Sequence, residues 1–463
     1  MKKSTLFLFL CVFIFGIVLR LYKLTSPIAD WHSWRQSDTA AVERNFEKFG
    51  FDPLRPRYDD LSNIASGKDN PMGWRMVEFP LYQSVAYMGR QIVPMLSSKI
   101  WLRLVTIAAS AATAVVIGLL AGFLPALVFA ILPYSIYYGR TILPDPLMVF
   151  LAVLSVYLLY KKHLLSSAVL AVLALLVKPT AVFLLLPIPY LLYQKFSLSK
   201  KFFICLFAYL LICLLPILVW RHWIFQFSEG IPAFTWLFNA GNIRFKGAWF
   251  NWIFAERIGK LILGYWGLIP FGLGLVLPTT KKESWLFRLL LLGSLAYVVV
   301  LAAGNVQHDY YQILLLPVMS IYVGKGFAFL WKNNFFSTLA SRLLLITCLL
   351  FTIAFSWFTI RTYYWINRPE IVEAGKVADA LLPKDAKVIA SYNGDTTFLY
   401  QINRQGWPLG FDIPKKLKMG ATHYVTVSPT DADYETMGLS REFTVLVRND
   451  KFAIIDLTRP RQQ

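Results

Sequence analysis

Several carboxylates and bases lie in one short motif, directly after the first apolar segment of the chain. The motif occupies residues 30–38 and reads DWHSWRQSD. Its carboxylates, Asp38 and Asp30, could deprotonate a hydroxyl or an amine, or hold a metal, with Arg35 and His32 beside them. A structural role accounts for the same residues: Asp38 can be the N-cap of a helix over residues 39–49, and Arg35 can pair with an acid. The motif alone leaves both interpretations open.

Two further motifs place polar residues at predicted helix ends. Glu78 precedes an amphipathic segment, where it can anchor a helix or bring a second carboxylate beside Asp38. Arg140 and Asp145 belong to the motif YYGRTILPDP. Pro146 fits the first turn of a helix with Asp145 as its N-cap. Arg140 and Asp145 would also suit binding of a phosphate and a hydroxyl group.

Two other motifs add a lysine and a histidine. Lys178 ends an apolar run, where it can extend to the membrane surface or bind a lipid phosphate as a compact ammonium. His308, Tyr310 and Tyr311 open a later apolar segment. Tyrosine is common in the aromatic belts of membrane proteins, so His308 is the more informative residue here.

The composition indicates a membrane protein. Hydrophobic residues make up 57% of the 463 positions and charged residues 16%, and the mean hydropathy is +0.53. Soluble domains carry roughly 25% charged residues. The net charge of +20 does not indicate nucleic acid, because eleven bases and one acid lie in short clusters between apolar runs. This is the positive-inside pattern, which orients membrane helices. The clusters are residues 161–162, 195–201, 281–288 and 325–342.

The apolar runs predict a polytopic α-helical protein with about 11 transmembrane helices. The predicted spans are about 5–24, 100–120, 122–139, 145–160, 163–178, 180–194, 202–221, 258–278, 286–303, 308–324 and 342–362. Segment 80–96 is better interpreted as a helix along the membrane surface than as a further crossing, because all four basic clusters are then cytoplasmic.

This topology predicts a membrane module over residues 1–365 and a small C-terminal α/β domain over residues 366–463. Loops 25–99 and 222–257 and the terminal domain would face away from the cytoplasm. In the terminal domain we expect helices near 370–382 and 396–404, and strands near 387–392, 424–427, 443–447 and 452–455. All five polar motifs then lie at one face of the membrane. The chain contains no phosphate-binding P-loop, no GxGxxG turn and no HExxH motif.

These features resemble the GT-C superfamily of membrane glycosyltransferases, and within it the group of protein O-mannosyltransferases and lipid A aminoarabinose transferases. The similar segments are HSWRQSDT at 32–39 with Arg44-Asn45, EFPLY at 78–82, Arg140 with Pro144-Asp145, Lys178, and HDYY at 308–311. The resemblance covers residues 1 to about 325, and extends more loosely through residues 399–407.

The resemblance implies an inverting transfer of a sugar from a polyprenyl-phosphate carrier, in the plasma or inner membrane, to an extracytoplasmic glycan, lipid or protein. The family places its catalytic carboxylate in an Asp-Glu pair after the first helix, and this chain has no such pair. Asp38 is therefore preferred as the base and Asp30 is the alternative. The other roles that the resemblance implies are phosphate binding by Arg140, Lys178 and Arg35, and a substrate pocket of His32, Glu78, Asp145, His308, Tyr310 and Tyr311.

No cofactor is required by this resemblance and no metal ligands are assigned, although the carboxylates could bind a divalent metal. Nucleic acid is not an expected partner. A transporter or flippase of lipid-linked sugars is the main alternative, but its charges should continue into the middle of the membrane. Here they gather at helix ends. A third interpretation is an anchored binding protein, whose function would survive loss of the carboxylates in the first loop.

Overall fold

The chain folds into two compact units. The computed structural model describes residues 3–277, 281–332, 335, 337–429 and 434–461. The first unit, here called the membrane unit, comprises Met1–Leu24, Arg103–His222 and Phe234–Tyr363. The second, here called the loop unit, comprises Thr25–Leu102, Trp223–Ala233 and Tyr364–Gln463. The long loop after the first helix therefore belongs to the same unit as the terminal segment.

The membrane unit is built from helices. Its α-helices, two of which extend into the loop unit, are Lys3–Arg20, Ser98–Ala121, Phe123–Ile131, Pro133–Tyr138, Asp145–Tyr160, Leu164–Val177, Ala181–Leu184, Ile188–Phe196, Lys200–Ile224, Trp236–Asn239, Gly247–Phe250, Leu268–Val276, Lys281–Val300, Ala302–Gln307, Leu316–Lys332 and Thr338–Ile360. A π-helix spans Asn251–Ile262, and 3-10 helices span Ala240–Phe245, Asp309–Leu315 and Arg361–Tyr364.

Apolar helices long enough to cross a membrane confirm that this is a multi-pass membrane protein. Five segments of the described chain meet that length and composition, and four shorter apolar helices accompany them. The total of eleven crossings stays a prediction. Three predicted spans are interrupted, because Pro133 and Pro187 cannot continue a preceding helix and residues 263–267 form turns.

The segment predicted to lie along the membrane surface forms a short helix in the loop unit. This helix, Leu81–Ile92, has 12 residues, whereas a crossing helix needs about 20. Its buried Tyr82 donates a hydrogen bond to Leu102 O at 2.7 Å, and Arg90 pairs with Glu43 at 3.1 Å. Its length favours the surface interpretation over a full crossing.

The terminal segment forms a small α/β domain around a five-stranded sheet, as the sequence predicts. The strands are β1 (Val388–Ser391), β2 (Gly406–Trp407), β3 (His423–Thr426), β4 (Phe443–Arg448) and β5 (Ala453–Pro460), in the order β2-β1-β3-β5-β4. Strand β1 is parallel to β2 and β3, and β5 is antiparallel to β3 and β4.

Helices pack beside this sheet in the loop unit. They are Ser33–Phe49, Leu81–Ile92, Pro369–Leu381, Thr397–Ile402, Ile413–Lys418 and Tyr434–Glu442, with a 3-10 helix at Phe225–Gly230. The helix Pro369–Leu381 buries Ile371 and Ala374 against Val388, Phe398 and Val425. The sequence predicts the two helices nearest the start of the domain and four strands. It missed β2, the helix Ile413–Lys418 and the helix Tyr434–Glu442, which are short or weakly apolar.

The long loop after the first helix adds a short strand to the edge of this sheet. The backbone N–H of Gly406 donates to Asp59 O, and that of Leu61 donates to Gly406 O, both at 2.8 Å. Asp60 thereby pairs in parallel with Gly406 in β2. Residues far apart in the sequence are thus joined by the same hydrogen bonding that holds the sheet together.

We expect a Gly406→Ala substitution to destabilise the loop unit by about 3 kcal/mol. A Cβ at Gly406 would lie 1.7 Å from Val388 O, which is sheet backbone that cannot move without breaking its own pairing. The measurement is thermal unfolding of the full chain together with protease sensitivity of the loop unit. Gly438→Ala is the matched control, because a Cβ there meets nothing within 4 Å. Equal melting temperatures for the two variants would contradict the close packing at Gly406.

We expect the loop unit to become more stable as the pH falls from about 6 towards 4. Burial raises the pKa of the Asp60 carboxyl to about 6, which the nearby charge of Asp38 reinforces and hydrogen bonds from Ser62 oppose. The folded state then binds a proton in a pH range where the unfolded state has released it, so its stability falls as the pH rises. Unfolding measured between pH 4 and 7 tests this, and an unchanged slope in Asp60→Asn would refute the assignment to Asp60.

Candidate active site

The first motif contains the start of the helix Ser33–Phe49. The helix begins at Ser33, after His32 in a left-handed conformation with φ of 56°. Asp38 therefore lies inside the helix, and of the two interpretations of this residue the N-cap is wrong. The ring of His32 packs edge-on against Trp31, with 5.3 Å between centroids.

Asp38 is held by an ion pair and a hydroxyl group. Its Oδ2 lies 2.9 Å from the guanidinium of Arg75, and both side chains are almost fully buried. Its Oδ1 accepts a hydrogen bond from the hydroxyl of Thr396 at 2.7 Å. Both oxygens are therefore engaged, one by the first loop and one by the terminal segment.

A second buried ion pair lies next to Asp38. Arg35, three residues earlier on the same helix, donates to the carboxylate of Glu78. The structure thus brings Arg35, Asp38 and Glu78 to one narrow cleft, which agrees with the second of the two interpretations of Glu78. The cleft is almost filled by its own side chains, with about 10 Å³ of open volume, and is lined by Arg35, Asp38, Thr39, Val42, Pro56, Arg75, Val77, Glu78, Pro80 and Gln83.

Asp30 lies before the helix and is buried with different partners. Its Oδ1 accepts a hydrogen bond from the side-chain amide of Gln36 at 2.7 Å, and the same amide donates to Trp31 O at 3.0 Å. Gln36 therefore ties the carboxylate to the first turns of the helix Ser33–Phe49.

The membrane unit brings together the lysine, the aspartate and the tyrosines predicted from three separate motifs. The ammonium of Lys178 lies 2.7 Å from Asp145 Oδ1. It also lies 5.5 Å and 4.8 Å from the ring centroids of Tyr310 and Tyr311. Cation–π attraction and the ion pair fix the position of this charge. Asp145 is the first residue of its helix rather than the expected N-cap, and its carboxylate bonds Lys178 instead of a backbone N–H.

His308 packs in the same group of side chains. Its ring centroid lies 5.5 Å from that of Tyr310 and 5.6 Å from that of Tyr311. The aspartate between them, Asp309, fixes this segment: its carboxylate accepts hydrogen bonds from the hydroxyls of Tyr138 and Tyr363. These hydrogen bonds therefore fix the backbone turn at residues 308–311, which carries the two tyrosines.

Arg140 is buried in the membrane unit with other partners. Its guanidinium donates to Lys23 O at 3.4 Å and lies 5.3 Å from the ring centroid of Tyr137. Lys178, the other cation of the membrane unit that is expected to bind the phosphate, contacts Asp145, Tyr310 and Tyr311.

Sequence reasoning missed Arg75, Thr396 and Asp309 as site residues. Arg75 lies in the same loop as Glu78, three residues before it, and a basic residue so close to a carboxylate motif could have been recognised as a possible ion-pair partner. Asp309 lies within the HDYY motif, in which only the histidine and the tyrosines were assigned to the site. Thr396 is 358 positions away from Asp38, and no local sequence pattern predicts a contact over such a distance along the chain.

The described residues do not bring three or more His, Cys, Asp or Glu side chains together as a metal site. The buried carboxylates named above are instead bonded to arginine, lysine, amide or hydroxyl groups. Each unit thus has its own candidate set of paired charges.

Comparison with known proteins identifies the fold. No family model and no curated protein matches the sequence. Among solved structures, ArnT from Cupriavidus metallidurans bound to undecaprenyl phosphate has a TM-score of 0.61 at 12% identity, over 98% of both chains. Arabinofuranosyltransferase AftD from Mycobacteria has a TM-score of 0.57 at 13% identity, over 98% of this chain and 42% of its own.

A third similar structure is the oligosaccharyltransferase of Archaeoglobus fulgidus. Its TM-score is 0.55 at 10% identity, over 91% of this chain and 68% of that one. These proteins transfer different sugars, and what they share with this chain over most of its length is the arrangement of the backbone. The chain therefore has the fold of the GT-C membrane glycosyltransferases, as its motifs suggest.

Proposed function

We propose that this protein is a membrane glycosyltransferase that moves a sugar from a polyprenyl-phosphate-linked donor to an extracytoplasmic acceptor. The observation that carries the proposal is the Lys178 ammonium, bound to Asp145 and packed on Tyr310 and Tyr311 in the membrane unit. The GT-C fold supports it, and so does a fold neighbour that holds undecaprenyl phosphate. The enzyme would work in the plasma or inner membrane, with the loop unit on the extracytoplasmic side.

Lys178 binds the donor phosphate in this proposal. When the bond between the sugar and the phosphate breaks, negative charge grows on the phosphate oxygen. A fixed ammonium stabilises that charge without having to reorganise. Asp145 and the two tyrosines hold the ammonium in place. Arg140 adds a second buried positive charge to the membrane unit, whereas the charge of Arg35 is balanced by Glu78 and supports the cleft.

We assign the general base to Asp30, ahead of Asp38. A general base needs a carboxylate oxygen that the acceptor can reach. Both oxygens of Asp38 are engaged, Oδ2 by Arg75 and Oδ1 by Thr396, which suits a residue that fixes the helix. Asp30 is the other carboxylate of the same motif, and the amide of Gln36 orients it through Oδ1. We therefore favour the carboxylate that the sequence ranked second.

The proposed reaction is a single displacement with inversion. The acceptor oxygen or nitrogen attacks the anomeric carbon of the donor sugar while its proton passes to Asp30. The bond from that carbon to the phosphate oxygen breaks, and its electron pair leaves with the polyprenyl phosphate. Attack from the side opposite the leaving group inverts the anomeric configuration.

We expect Lys178→Gln to weaken binding of a polyprenyl phosphate roughly ten- to hundredfold, since a hydrogen bond to a charged group contributes about 1.5–3 kcal/mol. The KM for the donor should rise, while the KM for the acceptor should not. Binding of undecaprenyl phosphate to the full chain in nanodiscs measures the effect. Lys161→Gln is the matched control, because Lys161 is an exposed lysine at the end of another helix of the same unit. Equal binding by both variants would show that Lys178 does not bind the donor phosphate.

We expect Asp30→Asn to lower kcat about 10²- to 10⁴-fold, because an amide cannot accept the proton. Binding of the donor should persist. Asp38→Asn should chiefly lower the melting temperature, by leaving Arg75 buried without its partner charge. A transfer assay with labelled polyprenyl-phosphate sugars measures kcat, and the exposed Asp385→Asn is the control. A large loss of kcat in Asp38→Asn alone, at an unchanged melting temperature, would restore Asp38 as the base.

A further inference from the structure

A second cleft in the loop unit lies at the far end of the helix that carries Asp38. Its open volume is about 140 Å³, which is smaller than the roughly 300–1,000 Å³ of sites that enclose a whole drug-sized ligand. Its lining includes Asn45, Phe49, Asp52, Arg55 and Arg57. None of these residues has a role in the chemistry proposed above.

The floor of this cleft contains a polar atom that needs a partner. Asn45 is 2% exposed, and its amide nitrogen donates to Arg57 O and to Asp59 Oδ1, both at 3.2 Å. These two bonds fix which way the amide points. Its Oδ1 is buried and has no hydrogen-bond partner among the described residues. A buried acceptor left unbonded costs about 1–3 kcal/mol. A ligand hydroxyl that reaches this oxygen after a small movement of the cleft lining would recover that energy.

The rim of the cleft offers an aromatic face together with both donors and acceptors. Phe49 is 48% exposed, and the guanidinium of Arg57 lies 5.1 Å from its ring centroid. Asp52 and Arg55 form an exposed ion pair at 2.7 Å. The cleft therefore combines a carboxylate, two guanidinium groups and one open phenyl ring.

This combination fits a sugar ring better than other ligands. Sugar hydroxyls donate and accept hydrogen bonds at once, which matches acceptors in Asn45 and Asp52 and donors in Arg55 and Arg57. The apolar face of a sugar ring can pack on Phe49. A phosphate would meet the Asp52 carboxylate, and an apolar peptide side chain would leave most of these polar groups unbonded.

The helix Ser33–Phe49 sets the distance from this cleft to the proposed base. Gln36, which bonds Asp30, and Asn45 are nine residues apart on it. At a rise of 1.5 Å per residue, the separation along the helix is roughly 13 Å. A sugar in the cleft therefore cannot be the one that reacts at Asp30. It would be a more distant unit of the same acceptor.

We propose that the cleft at Asn45, Phe49 and Asp52 is an acceptor subsite for a carbohydrate, and that the acceptor is a glycan of more than one sugar. Naming the bound glycan as the acceptor depends on the proposed glycosyltransferase function. The existence of a carbohydrate site in this cleft does not.

Binding of disaccharides to the full chain in nanodiscs tests the site without any transfer reaction. The probes are maltose, cellobiose and chitobiose, observed by saturation-transfer NMR, with inorganic phosphate and a neutral tripeptide as competitors. We expect at least one disaccharide to bind, and Phe49→Ala and Asp52→Asn each to weaken it about tenfold. Phe51→Ala is the matched control, because Phe51 is also an exposed phenylalanine but stacks on Tyr87 outside the cleft lining.

The proposal is overturned if no disaccharide binds, if Phe49→Ala binds as the wild type does, or if phosphate or the tripeptide displaces the sugar. A transfer assay then separates the two claims. We expect Phe49→Ala to raise the KM for a glycan acceptor about tenfold, with kcat and the donor KM unchanged. If the wild type binds disaccharides at Phe49 but transfers no sugar, the subsite stands and the proposed function fails. If transfer proceeds and the acceptor KM is unchanged in Phe49→Ala, the subsite fails and the function stands.

Discussion

The loop after the first helix and the terminal segment share one folded unit because the polar groups of one segment form hydrogen bonds with those of the other. The backbone of residues 59–61 accepts one hydrogen bond from Gly406 and donates another to it, at the edge of the sheet. Asp38 accepts a hydrogen bond from Thr396, and the guanidinium of Arg44 donates to Tyr400 O. Backbone groups buried without partners are costly, so neither segment could bury these surfaces alone. The cleft at Asp38 and the cleft at Asn45 both depend on this joining, since the helix between them is held by it.

Several buried charges in both units occur as pairs. Arg35 bonds Glu78, Arg75 bonds Asp38, and Lys178 bonds Asp145. Removing one partner of such a pair is far more damaging than replacing both, because the remaining charge is then stranded in a medium of low dielectric constant. The pairs therefore fix side-chain positions more than they add stability. In the proposed transfer reaction this has a chemical use, because an ammonium held by Asp145 and the tyrosines can bind a phosphate oxygen as a further partner without moving.

The sequence predicts apolar helices and four of the five strands, since apolar runs and alternating patterns are local signals. It singles out Lys178, Asp145, Tyr310 and Tyr311 in separate motifs, but their mutual contacts depend on the fold. It left open whether Asp38 caps a helix, because the start of the helix depends on the left-handed backbone at His32. It could not anticipate that Thr396 bonds Asp38, which depends on packing between distant segments. Strand β2 has two residues and forms because neighbouring segments pair with it, so its own sequence contains no pattern that would predict it. The assignment of the catalytic base stays a prediction.

The loop unit is assembled from three stretches of chain that the membrane unit separates in the sequence. Ribosomes deliver them in order, so the first stretch emerges long before strand β5, the last strand of the sheet, exists. Until residues 396–407 have been made, the helix Ser33–Phe49 lacks Thr396, and residues 59–61 lack Gly406, with which they pair. Contacts between residues so distant in sequence form slowly. A chain released early would therefore have its membrane helices but an unfinished loop unit, and translation of the terminal strands is the step that completes that unit.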